Sequence, residues 1–169
     1  HADVLVENYR PGTLEKLGIG SKSLLKKFPN LIIASCSGFG QTGPWAKKPA
    51  YDVIVQALGG IMSLTGYENQ DPVRVGSSIG DICAGLFTTI GIQTAIIERQ
   101  KTGKGSLVDV SMLDCQIAIL ENAISRFYCE KKIPKKLGSR HPSISPFEAY
   151  KCKDNYLVLA AGNNNLFEK

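Results

Sequence analysis

The sequence predicts an α/β fold built on a mostly parallel sheet, and three observations carry that expectation. Strand-like apolar runs alternate with helix-like stretches along the chain. The run Asn30–Ser35 (NLIIAS) is almost wholly apolar, as in a strand covered on both faces. The 169 residues are 43% hydrophobic and 21% charged, which suits one globular domain and excludes a disordered chain.

Ala2–Glu7 alternates as a strand and is broken by Pro11-Gly12. Thr13 opens a short helix through Leu14 and Leu17, and Gly18 and Gly20 stop it. Ser21–Phe28 reads as a further turn or two of helix. After the strand at Asn30–Ser35, Gly38–Pro44 (GFGQTGP) must be loop. Tyr51–Leu58 has Val53, Ile54, Ala57 and Leu58 at helical spacing, and Gly59-Gly60 ends it. Gly66–Gly80 is turn-rich. Asp81–Gln100 is the strongest helix, with Ile82, Leu86, Ile90 and Ile97 on one apolar side, widened by Phe87 and Ala95. Thr102–Gly105 turns into a strand at Leu107–Met112, and Leu113–Lys131 reads as a second long helix. Lys132–Pro146 reads as a linker, Tyr156–Ala161 as a last strand, and Asn163–Lys169 as the start of a helix. A chain that opens in a strand and stops in a first helical turn is expected to be a segment of a longer protein.

Composition excludes several classes. The uncharged stretches Leu31–Ala46 and Ile82–Ile97 fall short of the roughly 20 apolar residues of a membrane span. No basic segment followed by an apolar one opens the chain as a signal peptide would. The net charge of +5 is spread over separate lysine pairs, without the basic stripe and interleaved aromatics of a nucleic-acid binder. Five cysteines, an odd number with no CxxC spacing, argue against a disulfide framework or a zinc site. Their apolar contexts predict buried, reduced thiols.

Few motifs carry chemistry. Gly38–Gly43 matches GxGxxG after a strand, but Pro44 and Trp45 follow where a dinucleotide-binding helix should start. Gln100–Ser106 (QKTGKGS) lacks the spacing of a phosphate loop. With His1 and His141 as the only histidines, a histidine-based triad has little to use. Asp81 stands out. Its plain structural reading is an N-cap. Its functional reading is an ionised carboxylate at a helix N-terminus, with Gly80, Ala84 and Gly85 leaving room for an acyl donor.

The stretches ENYRPGTLEKLG, SGFGQTGP, YD followed by ALGG, GD at Gly80-Asp81, and KTGKG with VDVSMLD resemble the class III CoA transferases (CaiB/BaiF). That family includes formyl-CoA transferase, carnitine CoA transferase and α-methylacyl-CoA racemase. The tail from His141 is most similar to the branch that includes succinate–hydroxymethylglutarate CoA transferase.

The resemblance implies a Rossmann-like large domain at 1–112, a helical linker at 113–136 and the start of a small α+β domain at 137–169, in a protein whose chains interlock as homodimers. It implies transfer of CoA from an acyl-CoA to a free carboxylic acid, a short dicarboxylate among the candidates. CoA and acyl-CoA are then substrates, with no permanently bound cofactor and no metal.

Asp81 matches the family's nucleophile, which forms a mixed anhydride and then an aspartyl thioester. Asp52 matches an acid that orients it. Asn8, Tyr9, Lys16, Tyr51 and Met112 match CoA-binding positions. Lys16 stands where relatives place Arg, so it offers a point charge in place of a fork. Asn8 and Tyr9 equally suit strand-end packing, Met112 a core position, and Asp52 a surface helix start. Arg74 would meet a distal carboxylate or lie in solvent.

Two alternatives stay open. A racemase of the same family would need His at the position of Tyr51, and an unperturbed phenol gives up its proton only near ~pH 10. A non-catalytic binding or assembly module is the other. The expected location is the cytoplasm, or the mitochondrial matrix in a eukaryote.

Overall fold

The computed structural model describes residues 2–169; His1 lies outside the described residues. In chain order the elements are β1 (Val4–Glu7), α1 (Thr13–Lys16), α2 (Ser21–Lys27), β2 (Ile32–Ser37), α3 (Asp52–Leu58), α4 (Ile61–Leu64), α5 (Ile79–Thr102), β3 (Leu107–Ser111), α6 (Met112–Ala118), α7 (Asn122–Glu130), β4 (Phe147–Lys151), β5 (Tyr156–Ala160) and α8 (Asn164–Phe167). The fold is α/β. Strands β1, β2 and β3 form a parallel sheet in that order, and β4 and β5 form a separate antiparallel pair.

The apolar run predicted to be covered on both faces is β2, the central strand. Ile32, Ile33 and Ala34 are fully buried there. In register, Ala34 of β2 lies between Val6 of β1 and Val108 of β3. Parallel strands need long crossovers, and α5 supplies the one between β2 and β3. It packs on β2, β3, α3 and α6. At its far end Arg99 is held by the Asn30 carbonyl (3.0 Å) and the Asp3 carboxylate (3.2 Å), which ties α5 to the start of the sheet.

The face that α5 buries corrects the sequence expectation. Ile82, Leu86, Ile90 and Ile97 are 48–60% exposed. The buried positions are small: Gly80, Cys83, Ala84, Thr88 and Ala95. Small residues let the helix axis come close to the sheet. A β-carbon at Gly91 would stand 2.6 Å from Val108 Cγ1, and one at Gly80 would stand 2.7 Å from Val55 Cγ2. α3 departs in the same way. Val55 and Gln56 are buried, whereas Val53, Ile54 and Leu58 are exposed. By length and composition alone α5 could cross a membrane, which the uncharged-run argument had excluded.

Other departures are local. The helix expected over Leu113–Lys131 is two helices, α6 and α7, because Glu121 adopts φ 54° and interrupts the ladder. Nothing in the side chains around Glu121 explains that break. The short helix α4 and the strand β4 have no counterpart among the expected elements. Of the cysteines expected to be buried, Cys129 and Cys152 are exposed and Cys36 is half-buried; only Cys83 and Cys115 are buried. Among the described residues no group of three or more His, Cys, Asp or Glu is placed to hold a metal.

Gly105 marks the tightest approach between the α5–β3 turn and the strand beside it. Its N–H donates to the Pro29 carbonyl (2.7 Å), and a β-carbon there would overlap the Leu31 carbonyl. Gly105→Ala is therefore expected to cost about 3 kcal/mol, the upper range for overpacking. A denaturation midpoint unchanged from the parent would contradict this packing.

Candidate active site

A cleft of about 680 Å³ opens at the carboxyl ends of the parallel strands, the place where open α/β sheets bind ligands. Three strand ends and two helices form it. The exit of β1 supplies Glu7, Asn8, Tyr9 and Arg10, and the exit of β2 supplies Cys36, Ser37 and Gly38. Met112 lies at the start of α6, and Tyr51 precedes α3. One side of α5 completes the wall with Asp81, Ala84, Gly85, Thr88, Thr89 and Ile92.

Asp81 is not the N-cap. Helix α5 begins at Ile79 with Ser78 as its cap, so Asp81 is the third helical residue. An acidic side chain in the first turn sits in the positive end of the helix dipole. Its carboxylate is solvent-exposed and lines the cleft. Two effects nonetheless hold its pKa above the usual carboxylate value: loss of hydration first, and the neighbouring Asp52 carboxylate second.

Asp52 does not line the cleft. Its Oδ1 accepts the Gly80 N–H at 2.8 Å, and its Oδ2 accepts the Gln56 side-chain amide at 2.7 Å. Gln56 is 0% exposed. Its Oε1 accepts the Val75 N–H at 2.8 Å, so one amide clamps both Asp52 and the loop that leads into α5. Arg74 lies 4.0 Å from Asp52 Oδ2 and also stays outside the cleft lining. Gln56 was not among the expected site residues. An interior glutamine at i+4 from an aspartate was the available signal.

Of the five positions matched to CoA binding, four line the cleft. Asn8 donates its amide to the Cys36 carbonyl at 2.6 Å, which joins the exits of β1 and β2. Tyr9 donates its N–H to Glu7 Oε2 at 2.8 Å and leaves its ring exposed. Tyr51 and Met112 both line the cleft. Lys16, in α1, does not. The cations that do are Arg10 and Lys48, neither of them among the expected positions. Lys48 also stands over the Trp45 ring at 4.5 Å. Glu7, 8% exposed, and Cys36 complete the ionisable set. Burial pushes the Cys36 thiol up; the Thr88 hydrogen bond opposes this, and the carboxylates of Asp81, Glu7 and Asp109 reinforce it. Cys36 is therefore a protonated thiol at neutral pH, and Asp81 is the better nucleophile in the cleft.

The GxGxxG stretch behaves as a shaped loop. Gly40 and Gly43 have φ of 79° and 93°, the Gln41 N–H donates to the Asp109 carboxylate, and the next helix begins only at Asp52.

The model of CoA-transferase family III matches residues 1–169. The chain is 47% identical over 168 residues to the acetyl-CoA:oxalate CoA-transferase of Acetobacter aceti, covering 99% of this chain and 43% of that protein. It is 42% identical over 165 residues to the succinyl-CoA:glutarate CoA-transferase of Mus musculus, covering 98% of this chain and 38% of that protein. The crystal structure of a CAIB/BAIF family protein from Brucella suis superimposes with a TM-score of 0.88 at 40% identity, over 98% of this chain and 44% of that one. The chain thus spans less than half the length of these relatives. A family match over the whole chain, at these identities and with the same backbone, leaves one conclusion: the chain belongs to CoA-transferase family III (CaiB/BaiF).

Proposed function

We propose that this chain carries the acyl-transfer centre of a CoA transferase and that Asp81 is its covalent carrier. The observation behind this reading is one exposed carboxylate in the first turn of α5, facing a cleft at the strand ends. The carboxylate oxygen attacks the thioester carbonyl of the donor. A C–O bond forms, the C–S bond breaks, and CoA leaves as the thiolate. The thiolate then attacks the Asp81 carbonyl of the mixed anhydride. The donor acid departs, and Asp81 carries CoA as a thioester. The acceptor carboxylate attacks that thioester and again releases thiolate, and the thiolate takes the acceptor acyl group to restore Asp81.

Every nucleophile in this sequence is already an anion, so no general base is needed. The oxyanions form beside the first-turn N–H groups of α5, which favour negative charge. Arg10 and Lys48 supply positive charge for the phosphates of CoA, and Tyr51, Ile92 and Met112 supply apolar wall for its arm. Oxalate and glutarate appear in the names of two relatives, so short dicarboxylates are the first acids to test. An interlocked homodimer and the domain division at 112 and 136 belong to the same reading. Among the described residues no histidine lines the cleft beside Asp81 to serve as the second base of a racemase. Among the described residues the only histidine, His141, has its Nδ1 accepting the N–H groups of Ser143 and Ile144.

Three results are expected in the complete natural protein. Asp81→Ala removes CoA transfer but keeps CoA binding by calorimetry, and hydroxylamine traps a hydroxamate at residue 81 of the parent only when acyl-CoA is present. Transfer by the Asp81→Ala protein would sink the carrier assignment.

Asp81→Asn is expected to raise Tm at pH 7. The folded pKa lies above the unfolded one, so ionisation works against folding. That penalty is present above the folded pKa and disappears below the unfolded one. The Tm difference should therefore close as pH falls through the carboxylate range.

Gln56→Leu is expected to lower kcat about 100-fold, through misplacement of α5's first turn. KM for acyl-CoA should stay within about threefold, which a general loss of folding would not produce.

A further inference from the structure

We propose that Gly85 sets the size of the acyl group that Asp81 can carry. This rests on Asp81 being the carrier. Residues four apart on a helix are neighbours, with about 5–6 Å between their β-carbons. Side chains on a helix also lean toward its N-terminus, so the surface a residue covers lies over the turn before its own Cα. A side chain at position 85 would therefore lie over the turn that holds Asp81. Gly85 and Asp81 line the same cleft.

Packing among the described residues does not account for glycine here. A β-carbon at Gly85 meets nothing within 4 Å among the described residues, and its φ is not in the left-handed region. Gly80 and Gly91, in the same helix, are each held against a valine side chain. Glycine inside a helix is costly relative to alanine, and position 85 gains no contact in return. Open space beside a nucleophile is what it provides.

A second observation marks this cleft as ligand-facing. Ser37 lines it at 5% exposure, with a hydroxyl that has no hydrogen-bond partner among the described residues. A buried hydroxyl without a partner is rare in a finished site; a bound carbonyl or carboxylate would supply the partner.

The attached group explains the size limit. When Asp81 attacks a thioester, its new C–O bond places the acyl carbon just beyond the carboxylate. The acyl chain must then pass over the surface that residue 85 would cover. A short chain clears a small side chain, and a long or branched chain meets a large one.

The test uses Gly85→Ala and Gly85→Leu in the complete natural protein, with acetyl-, butanoyl- and hexanoyl-CoA as donors. Hydroxamate formed at Asp81 and thiol released are read for each donor, together with Tm. Gly85→Ala should raise Tm by about 2–4 °C, as helix propensity predicts. Gly85→Leu should lower kcat/KM for hexanoyl-CoA at least about tenfold more than for acetyl-CoA, the scale of discrimination that bulk in a pocket provides. Equal losses for all three donors, or none, would overturn the proposal. So would a fall in Tm for Gly85→Ala, because glycine would then be serving the close approach of another segment. A parent protein that forms hydroxamate elsewhere than Asp81 would remove the carrier assignment itself, a result these variants cannot mimic.

Discussion

The hydrogen bond from the Gly80 N–H to the Asp52 carboxylate determines where α5 begins, and with it where Asp81 points. A helix start leaves several N–H groups without partners. The side chain of Ser78 makes no capping bond among the described residues, so the cap position does not satisfy them. A carboxylate from the first turn of α3 satisfies one instead, and Gln56 holds that carboxylate from the other side. Two helices are thus joined through one oxygen each of Asp52. The absence of a side chain at Gly80 is part of the same device, since a β-carbon there would stand 3.1 Å from Asp52 Oδ1.

That arrangement has an electrostatic consequence. It brings a second carboxylate near Asp81, where partial dehydration already works against the charged form. Ionised Asp81 is therefore disfavoured, and in the proposed carrier role acylation would neutralise it. The anhydride and thioester proposed for Asp81 would be uncharged at that position, so the repulsion from Asp52 would be absent in both. A carboxylate of raised pKa is also the more basic, and hence the stronger, nucleophile. Because Asp81 remains exposed, water screens these effects; they tune the reaction and do not drive it.

The sheet was legible in the sequence because strand signals are local. NLIIAS reads as a two-sided strand whatever surrounds it, and β2 is that strand. The place of Asp81 was legible for a similar reason, since one carboxylate stands near the start of one long helix beside small residues. Helix faces were less legible. Periodicity locates an apolar stripe but not its destination, and on α5 the bulky stripe of Ile82, Leu86, Ile90 and Ile97 faces away from the sheet. The break at Glu121 had no signature either, because alanine, isoleucine, leucine and glutamate all suit a continuous helix. Among site residues, those missed act through position. Gln56 and Lys48 lie outside the quoted motifs, Arg10 lies within one without a role of its own there, and only the fold brings them to the site.

Helix α5 shows why the same residue type can answer different demands in one element. Its glycines at 80 and 91 admit neighbouring side chains, and its glycine at 85 admits none. Each weakens the helix by up to about 1 kcal/mol relative to alanine. Twenty-four residues of helix tolerate that because stability comes mainly from packing along the buried face, not from local propensity. The penalties at 80 and 91 are offset by closer contact with Val55 and Val108. The penalty at 85 has no such offset among the described residues. Position 85 lies one turn from Asp81 on the wall of the cleft, so in the proposed carrier role the space it leaves is space for the acyl group.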